Sequence, residues 1–412
     1  MTAKLKEPAP EAHKWEFKAR FRRRAFGWKS QPAITRVKQA VAEIKKVAKK
    51  DPMLAAEGAI AFLERVSPAL EQVDSSSGSI GSAVNNAIAE LVPIIASARA
   101  DAKTREAWLE RLFEAYQDDG IPYIEWLGDH WGMLCASKEV ASAWADRLIE
   151  TVKHSWSPDP KLRGFFNGTT NCLSALVAAE RYDDALALLE LAPYKMWHYR
   201  QYGVKALAAK GKKAEAIRYA EEGRGLNDSP IAIARACEEV LLSSGLVDEA
   251  YRRYGLEANQ AGTYLATFRA VAKKYPHKPA SEILADLAKT TPGDEGKWFA
   301  AAKDAGLYDD ALALASRTPC DPKTLARAAR DYAEKQPAFA VSAGLLSLYW
   351  LVQGYGYEIT SVDVWDAYRA TLAAAEGQGT SADVKERIRK LVVAEGAGER
   401  FVTKVLGREL GL

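Results

Sequence analysis

An all-α fold is predicted for this chain by three features. Apolar residues recur three and four apart over long stretches, as in "REAWLERLFEAYQ", where Trp108, Leu109, Leu112, Phe113 and Tyr116 share one helical face. Alternating Val, Ile and Thr runs set between turn dipeptides, the mark of strands, are missing from the sequence. The heptapeptide "YDDALAL" occurs twice, at 182–188 and 308–314, with weaker copies between. A two-helix unit repeated in this way cannot cover its own apolar face, so neighbours must stack on it. The expected architecture is a right-handed superhelix of stacked antiparallel helical hairpins, an α-solenoid closed by helical caps.

Composition agrees with a packed protein, since 48% of the 412 residues are hydrophobic and 27% are charged. No stretch approaches the roughly 18 uninterrupted apolar residues of a membrane span, and charges stand where a signal peptide has its apolar centre. A cytoplasmic protein with no membrane contact is expected. Cys135, Cys172, Cys237 and Cys320 are spaced by 37, 65 and 83 residues, and His13, His130, His154, His198 and His277 are equally scattered. Neither set has metal-ligand spacing, so no metal or other cofactor is expected.

The N-terminal segment, residues 1–32, contains "WEFKARFRRRAFGWK", with six cations and five aromatic rings in fifteen residues. Residues 1–50 carry 15 Lys and Arg against 4 Glu, a charge of +11 in a chain whose total is +3. An acidic partner would be drawn to this end. Read as a helix, Phe17, Phe21, Ala25 and Trp28 share one face and Lys18, Arg22 and Lys29 point away. The aromatics then cap the end of the helical array while the cations are solvated. Alternatively Arg20, Arg22, Arg23, Arg24, Lys29, Arg36 and Lys38 form a surface for phosphates or an acidic partner, with Trp15 or Trp28 stacking on bases.

Residues 33–160 read as helices without a clear period, at 33–50, 52–66, 80–97, 104–117, 122–135 and 138–154. Pro52 and Pro122 suit first-turn positions, where no backbone donor is lost. "VDSSSGSIGSAVNN" is a flexible loop leading into a helix with Ser79 or Ser82 as N-cap. It lacks the GxxxxGK[ST] pattern of a phosphate-binding loop. The stretch "EIKKVAKKDPMLAAEGAIAFLERVSPALEQVDSSSGS" resembles an uncharacterised bacterial family, to which no activity attaches.

The period appears in residues 161–336. Aligned on the acidic residue that opens each second helix, the copies fall at 184, 215, 249, 282 and 310, in steps of 31, 34, 33 and 28. Gly211, Gly245 and Gly306 suit the left-handed residue that ends a helix. Asp183, Asp248 and Asp309 suit the N-cap or first turn of the next, against the positive end of its dipole. On "AAERYDDALALLE", "AAKGKKAEAIRYAEEG" and "AKDAGLYDDALALAS" the repeats resemble the tetratricopeptide and related TPR-like α-solenoids. That resemblance implies a protein or peptide bound on a concave face. Within "PYKMWHYRQYG", Lys195, Tyr199, Arg200 and Tyr202 are the candidate groove residues, and Trp197 is assigned to the core. Residues 337–412 form a C-terminal helical cap after the aromatic join "LYWLVQGYGYE".

No catalytic constellation stands out. The pairs Asp118–Asp119, Asp183–Asp184 and Asp309–Asp310 diverge by about 100° on a helix and cannot converge on one atom. A Gly-x-Ser-x-Gly elbow is also missing. The expected function is a non-enzymatic scaffold or adaptor for a protein or peptide, with a nucleic-acid-binding solenoid as the alternative. Alignment of the N-terminal cations with Lys161, Arg163, Lys205, Lys212 and Lys213 along one groove would favour nucleic acid.

Overall fold

The computed structural model describes residues 13–225, 228–396 and 400–412. Residues 1–12 of the N-terminal segment lie outside them. The fold is all-α, with no strand among the described residues. The chain forms two compact units, residues 1–229 and 230–412, so the division falls inside the periodic stretch rather than at either end of it.

The first unit begins with three long helices, Ser30–Ala48, Pro52–Leu70 and Ser79–Ser97, packed on one another. Pro52 opens the second at a position that needs no donor, and the Asp51 carboxylate accepts the Leu54 N–H at 2.9 Å. Ser79–Ser97 is long and apolar enough to cross a membrane by length and composition. Its buried residues, Ile80, Val84, Ala87, Ile88, Leu91 and Ile95, nevertheless recur three and four apart, the pattern of a helix with one face in a core. It is preceded by Gly78 at φ 68°, and neither Ser79 nor Ser82 caps it. Ala102–Gln117 and Lys138–Ser155 follow, each started by a capping side chain, Asp101 and Ser137. Between them the expected helix over 122–135 is broken into a single 3₁₀ turn, Glu125–Leu127, and a short helix, Trp131–Cys135. The half-buried Asp119 carboxylate is tied into the break. It accepts the Ile124 N–H at 2.8 Å and the Ser67 hydroxyl, closing a loop where a helix would otherwise start.

Antiparallel helix pairs then follow one another. The first unit contains Thr169–Ala178 with Tyr182–Glu190, and Trp197–Ala209 with Lys213–Glu221. In the second unit Pro230–Leu242 packs on Val247–Ala250, which runs on through a π turn, Tyr251–Gly255, into Leu256–Ala258. Phe299–Asp304 pairs with Tyr308–Arg317. In all four the same turn reverses the chain. Glu180, Gly211, Gly245 and Gly306 take the left-handed conformation, with φ of 59°, 78°, 74° and 75°. The next residue then donates to the carbonyl five back: Arg181 to Leu176, Lys212 to Leu207, Leu246 to Leu241 and Leu307 to Ala302, at 2.9–3.0 Å. That residue also precedes the following helix directly, without a side-chain cap. Asp183, Asp248 and Asp309 therefore sit in the first turn, where they meet the helix dipole.

The weaker copy at Glu282 has a different connection. Between Tyr264–Lys274 and Ala280–Lys289 the chain passes through residues 275–279 without a left-handed residue. The pairs Pro322–Tyr332 with Pro337–Val352 and Ser361–Glu376 with Ser381–Val393 complete the second unit, together with Phe401–Leu410. Tyr308–Arg317, Pro337–Val352 and Ser381–Val393 lie side by side as one layer, and Pro322–Tyr332 packs beside Ser361–Glu376 in the other.

Glu180 is the side-chain-bearing residue in a turn that elsewhere uses glycine, and a left-handed conformation costs an L-residue about 1–2 kcal/mol. Glu180→Gly should therefore stabilise the protein by about 0.5–1 kcal/mol, after loss of an exposed ion pair to Lys138. Gly211→Ala, whose new methyl meets open space, should destabilise by about 1 kcal/mol. Urea denaturation of both variants checks the opposite signs.

Candidate functional site

Within Trp15–Lys29, only Glu16–Arg20 is helical. The Glu43 carboxylate holds its start, accepting the N–H groups of Glu16 (2.8 Å) and Phe17 (3.3 Å). Trp15, Phe17 and Phe21 are buried. Phe17 and Phe21 meet the Phe62 ring edge-on at 5.7 and 5.1 Å. The Trp15 indole lies against Gly58 so closely that a Cβ there would stand 2.2 Å from the ring. These rings are the lid of the three-helix group.

The shared face expected for Phe17, Phe21, Ala25 and Trp28 is not formed. The helix ends at Phe21, and Arg24 takes a left-handed φ of 56° with its N–H on the Pro68 carbonyl. Trp28 is left 72% exposed, while Trp15 has no surface for a base to stack on. The cations divide as well. Arg20 pairs with Glu16, and Arg23 and Arg24 both bind Glu71, at 3.0 and 2.7 Å. The Arg24 hydrogen bond holds the Glu71 carboxyl below its usual range. Arg22, Lys29, Arg36 and Lys38 are exposed and touch no carboxylate among the described residues; Arg36 donates to Gln39 at 2.7 Å.

The second candidate group, at the start of Trp197–Ala209, also divides. Arg200 and Tyr202 are interior residues, not groove residues. The Arg200 guanidinium stacks on Tyr219 at 3.8 Å and donates to the Tyr219 carbonyl. Tyr202 Oη donates to Asp129 Oδ1 at 2.7 Å, and burial raises its pKa far above the ordinary phenol. Tyr199 is half-buried with its ring against Trp156, and Lys195 is exposed. Trp197, expected in the core, is half-buried.

Three irregular segments are tied to this part of the first unit, residues 121–130, 157–168 and 191–196. Asp129 binds Gln201 (3.2 Å) and Tyr202, Thr170 Oγ1 meets His198 Nε2 at 2.8 Å, and Asn167 donates to the Tyr116 carbonyl at 3.0 Å. Gly128 packs so closely on Thr170 that a Cβ would lie 3.1 Å from it. Burial lowers the pKa of the His130 imidazole. The Arg163 guanidinium folds back onto the Ser157 and Pro158 carbonyls at 3.1 and 3.2 Å, bracing its own loop.

From these braced loops large apolar side chains project outward. Trp126 is 49% exposed, Phe165 84% and Tyr194 65%, and Leu162 and Met196 are exposed beside them in sequence. Lys161 and Lys195 add charge. Aromatic rings held in water by a rigid frame are what a binding surface needs, because their burial is favourable and little ordering remains to be done. Sequence periodicity missed them, since an isolated aromatic in a loop has no helical partners; the usable signal was the "PKLRGFFNG" stretch between two helices.

Among the described residues no three His, Cys, Asp or Glu side chains converge as metal ligands. Cys135, Cys172 and Cys320 are buried, which pushes each thiol up to about 12. No protein-family model, characterised protein or solved structure matches the chain.

Gly58→Ala tests the seating of the N-terminal lid. It should displace Trp15, cost about 1–3 kcal/mol of stability in urea, and expose the Arg20–Arg24 region to trypsin faster than in the wild type.

Proposed function

We propose that the chain is a non-catalytic scaffold that binds a protein or peptide, and that the aromatic loop edge of the first unit is the binding surface. The single observation behind this reading is the exposure of Trp126, Phe165 and Tyr194 on loops whose bases are locked by the Asp129, Thr170 and Asn167 hydrogen bonds. Tyr and Trp are the side chains that dominate binding hot spots. The recurrent left-handed turn at Glu180, Gly211, Gly245 and Gly306 supports a TPR-like stacking of hairpins within each unit as the scaffold. Cys135, Cys172 and Cys320 are buried thiols, which suits a reducing cytoplasm.

Panning a random peptide library on the wild-type protein, followed by affinity measurement of enriched peptides, tests the reading. Trp126→Ala/Phe165→Ala/Tyr194→Ala should weaken them by at least about tenfold with the fold intact, because all three rings are exposed. Unchanged affinity contradicts the assignment.

One observation favours a second reading, nucleic-acid binding: Trp28 stands exposed in sequence between Arg22 and Lys29, which lack carboxylate partners among the described residues. Against it, several of the further cations are engaged within the protein: Arg163 on the Ser157 and Pro158 carbonyls, Lys205 over the Tyr202 ring at 5.0 Å, and Lys212 with Glu215. Fluorescence anisotropy of labelled single- and double-stranded DNA and RNA over a salt series separates the two. Salt-sensitive binding abolished by Arg22→Ala/Trp28→Ala/Lys29→Ala supports the second reading, and no binding at low salt removes it.

A further inference from the structure

The helix Pro337–Val352, "PAFAVSAGLLSLYWLV", has no charged residue in its sixteen positions. A helix apolar all round belongs in an interior, and most of this one is buried. One flank is not. Ser342, Leu346 and Tyr349 are only half-buried, and their spacing of four and three places them along one line of the helix surface.

That line runs along a groove of about 680 Å³ in the second unit, between Tyr308–Arg317, Pro337–Val352 and Ser381–Val393. Leu312, Leu345, Leu346, Tyr349 and Leu391 form its floor and walls. The charged residues lining it are Arg387 and Lys390, both exposed and one helical turn apart, and no acidic residue lines it with them. Their neighbours on the same helix are neutralised, Lys385 by Glu409 and Arg389 by Glu386. Arg387 and Lys390 have no such partner among the described residues. The groove on the other layer, between Pro322–Tyr332 and Ser361–Glu376, differs sharply. There Lys323, Arg327, Arg330 and Arg369 are interleaved with Asp321, Asp363 and Asp366.

We propose that the groove over Leu346 and Tyr349 is a docking site for an acidic amphipathic helix of a partner protein. An apolar stripe on such a helix, repeating every three and four residues, would cover Leu345, Leu346, Tyr349 and Leu391. Carboxylates on its flank would meet Arg387 and Lys390. The sign of the rim selects the partner, because a basic helix would place like charges together as the apolar faces met. The site lies wholly within the second unit and is independent of the aromatic loop edge assigned above.

The test uses the full chain and a fluorescein-labelled synthetic peptide of roughly 15 residues, with Leu at i, i+3, i+4 and i+7 and Glu on the flanks. A counterpart carries Lys for every Glu, and dodecanoate serves as a competing anionic amphiphile. Saturable binding of the acidic peptide is expected, with at least about tenfold preference over the basic one. Leu346→Glu and Arg387→Glu/Lys390→Glu should each reduce it by about tenfold or more, and Arg387→Lys should retain it. Trp126→Ala should leave it unchanged. Equal binding of the two peptides, no saturable binding of the acidic one, or affinity indifferent to both groove variants overturns the proposal. Tight dodecanoate binding without peptide binding overturns it too, since the groove would then be an acyl-chain site.

Discussion

Four of the helix pairs in the periodic part of the chain depend on one backbone constraint, a single left-handed residue at the end of the first helix. Without it the carbonyls of the last turn lack partners and the chain cannot double back within three residues. With it, the following residue both closes the old helix and precedes the new one, as Lys212 does between Trp197–Ala209 and Lys213–Glu221. Two helices joined so tightly must pack closely, which is why Ala185, Ala216, Ala250 and Ala311 stand buried just inside the second helix of each pair. Small residues there and apolar residues on the outer faces leave each pair dependent on its neighbours for burial.

This part of the fold was legible in the sequence because glycine reports left-handed backbone directly. Gly211, Gly245 and Gly306 all occupy that conformation. Glu180 does as well, and nothing in its chemistry announces it; only its alignment with the three glycines does. The copy at Glu282 shows the converse, a periodic sequence whose turn is built differently. At the N-terminus helical spacing misled, because a face of Phe17, Phe21, Ala25 and Trp28 presumes a helix running through Gly27. The chain instead leaves the helix at Phe21, where Phe62 takes up the ring.

The candidate site was less legible, for a physical reason. Polar residue type says little about burial when a partner waits elsewhere in the chain. Arg200 and Tyr202 resemble ligand-binding residues in sequence, yet Tyr219 and Asp129, 19 and 73 residues away, draw them inside. Held there, they fix the helix start that carries Tyr199 and, through Asp129, the loop that carries Trp126. On the proposed reading the interior polar ties and the exposed rings are parts of one arrangement: hydrogen bonds remove loop freedom in advance, and the rings retain the free energy of burial for a partner.

Hydrogen exchange of the full chain, with and without a peptide selected on it, measures that arrangement most directly. If the loop edge is the binding surface, new protection appears in residues 121–130, 157–168 and 191–199, with little change across the Trp15–Phe62 lid. Protection elsewhere, with those three segments exchanging as in the free protein, would contradict it.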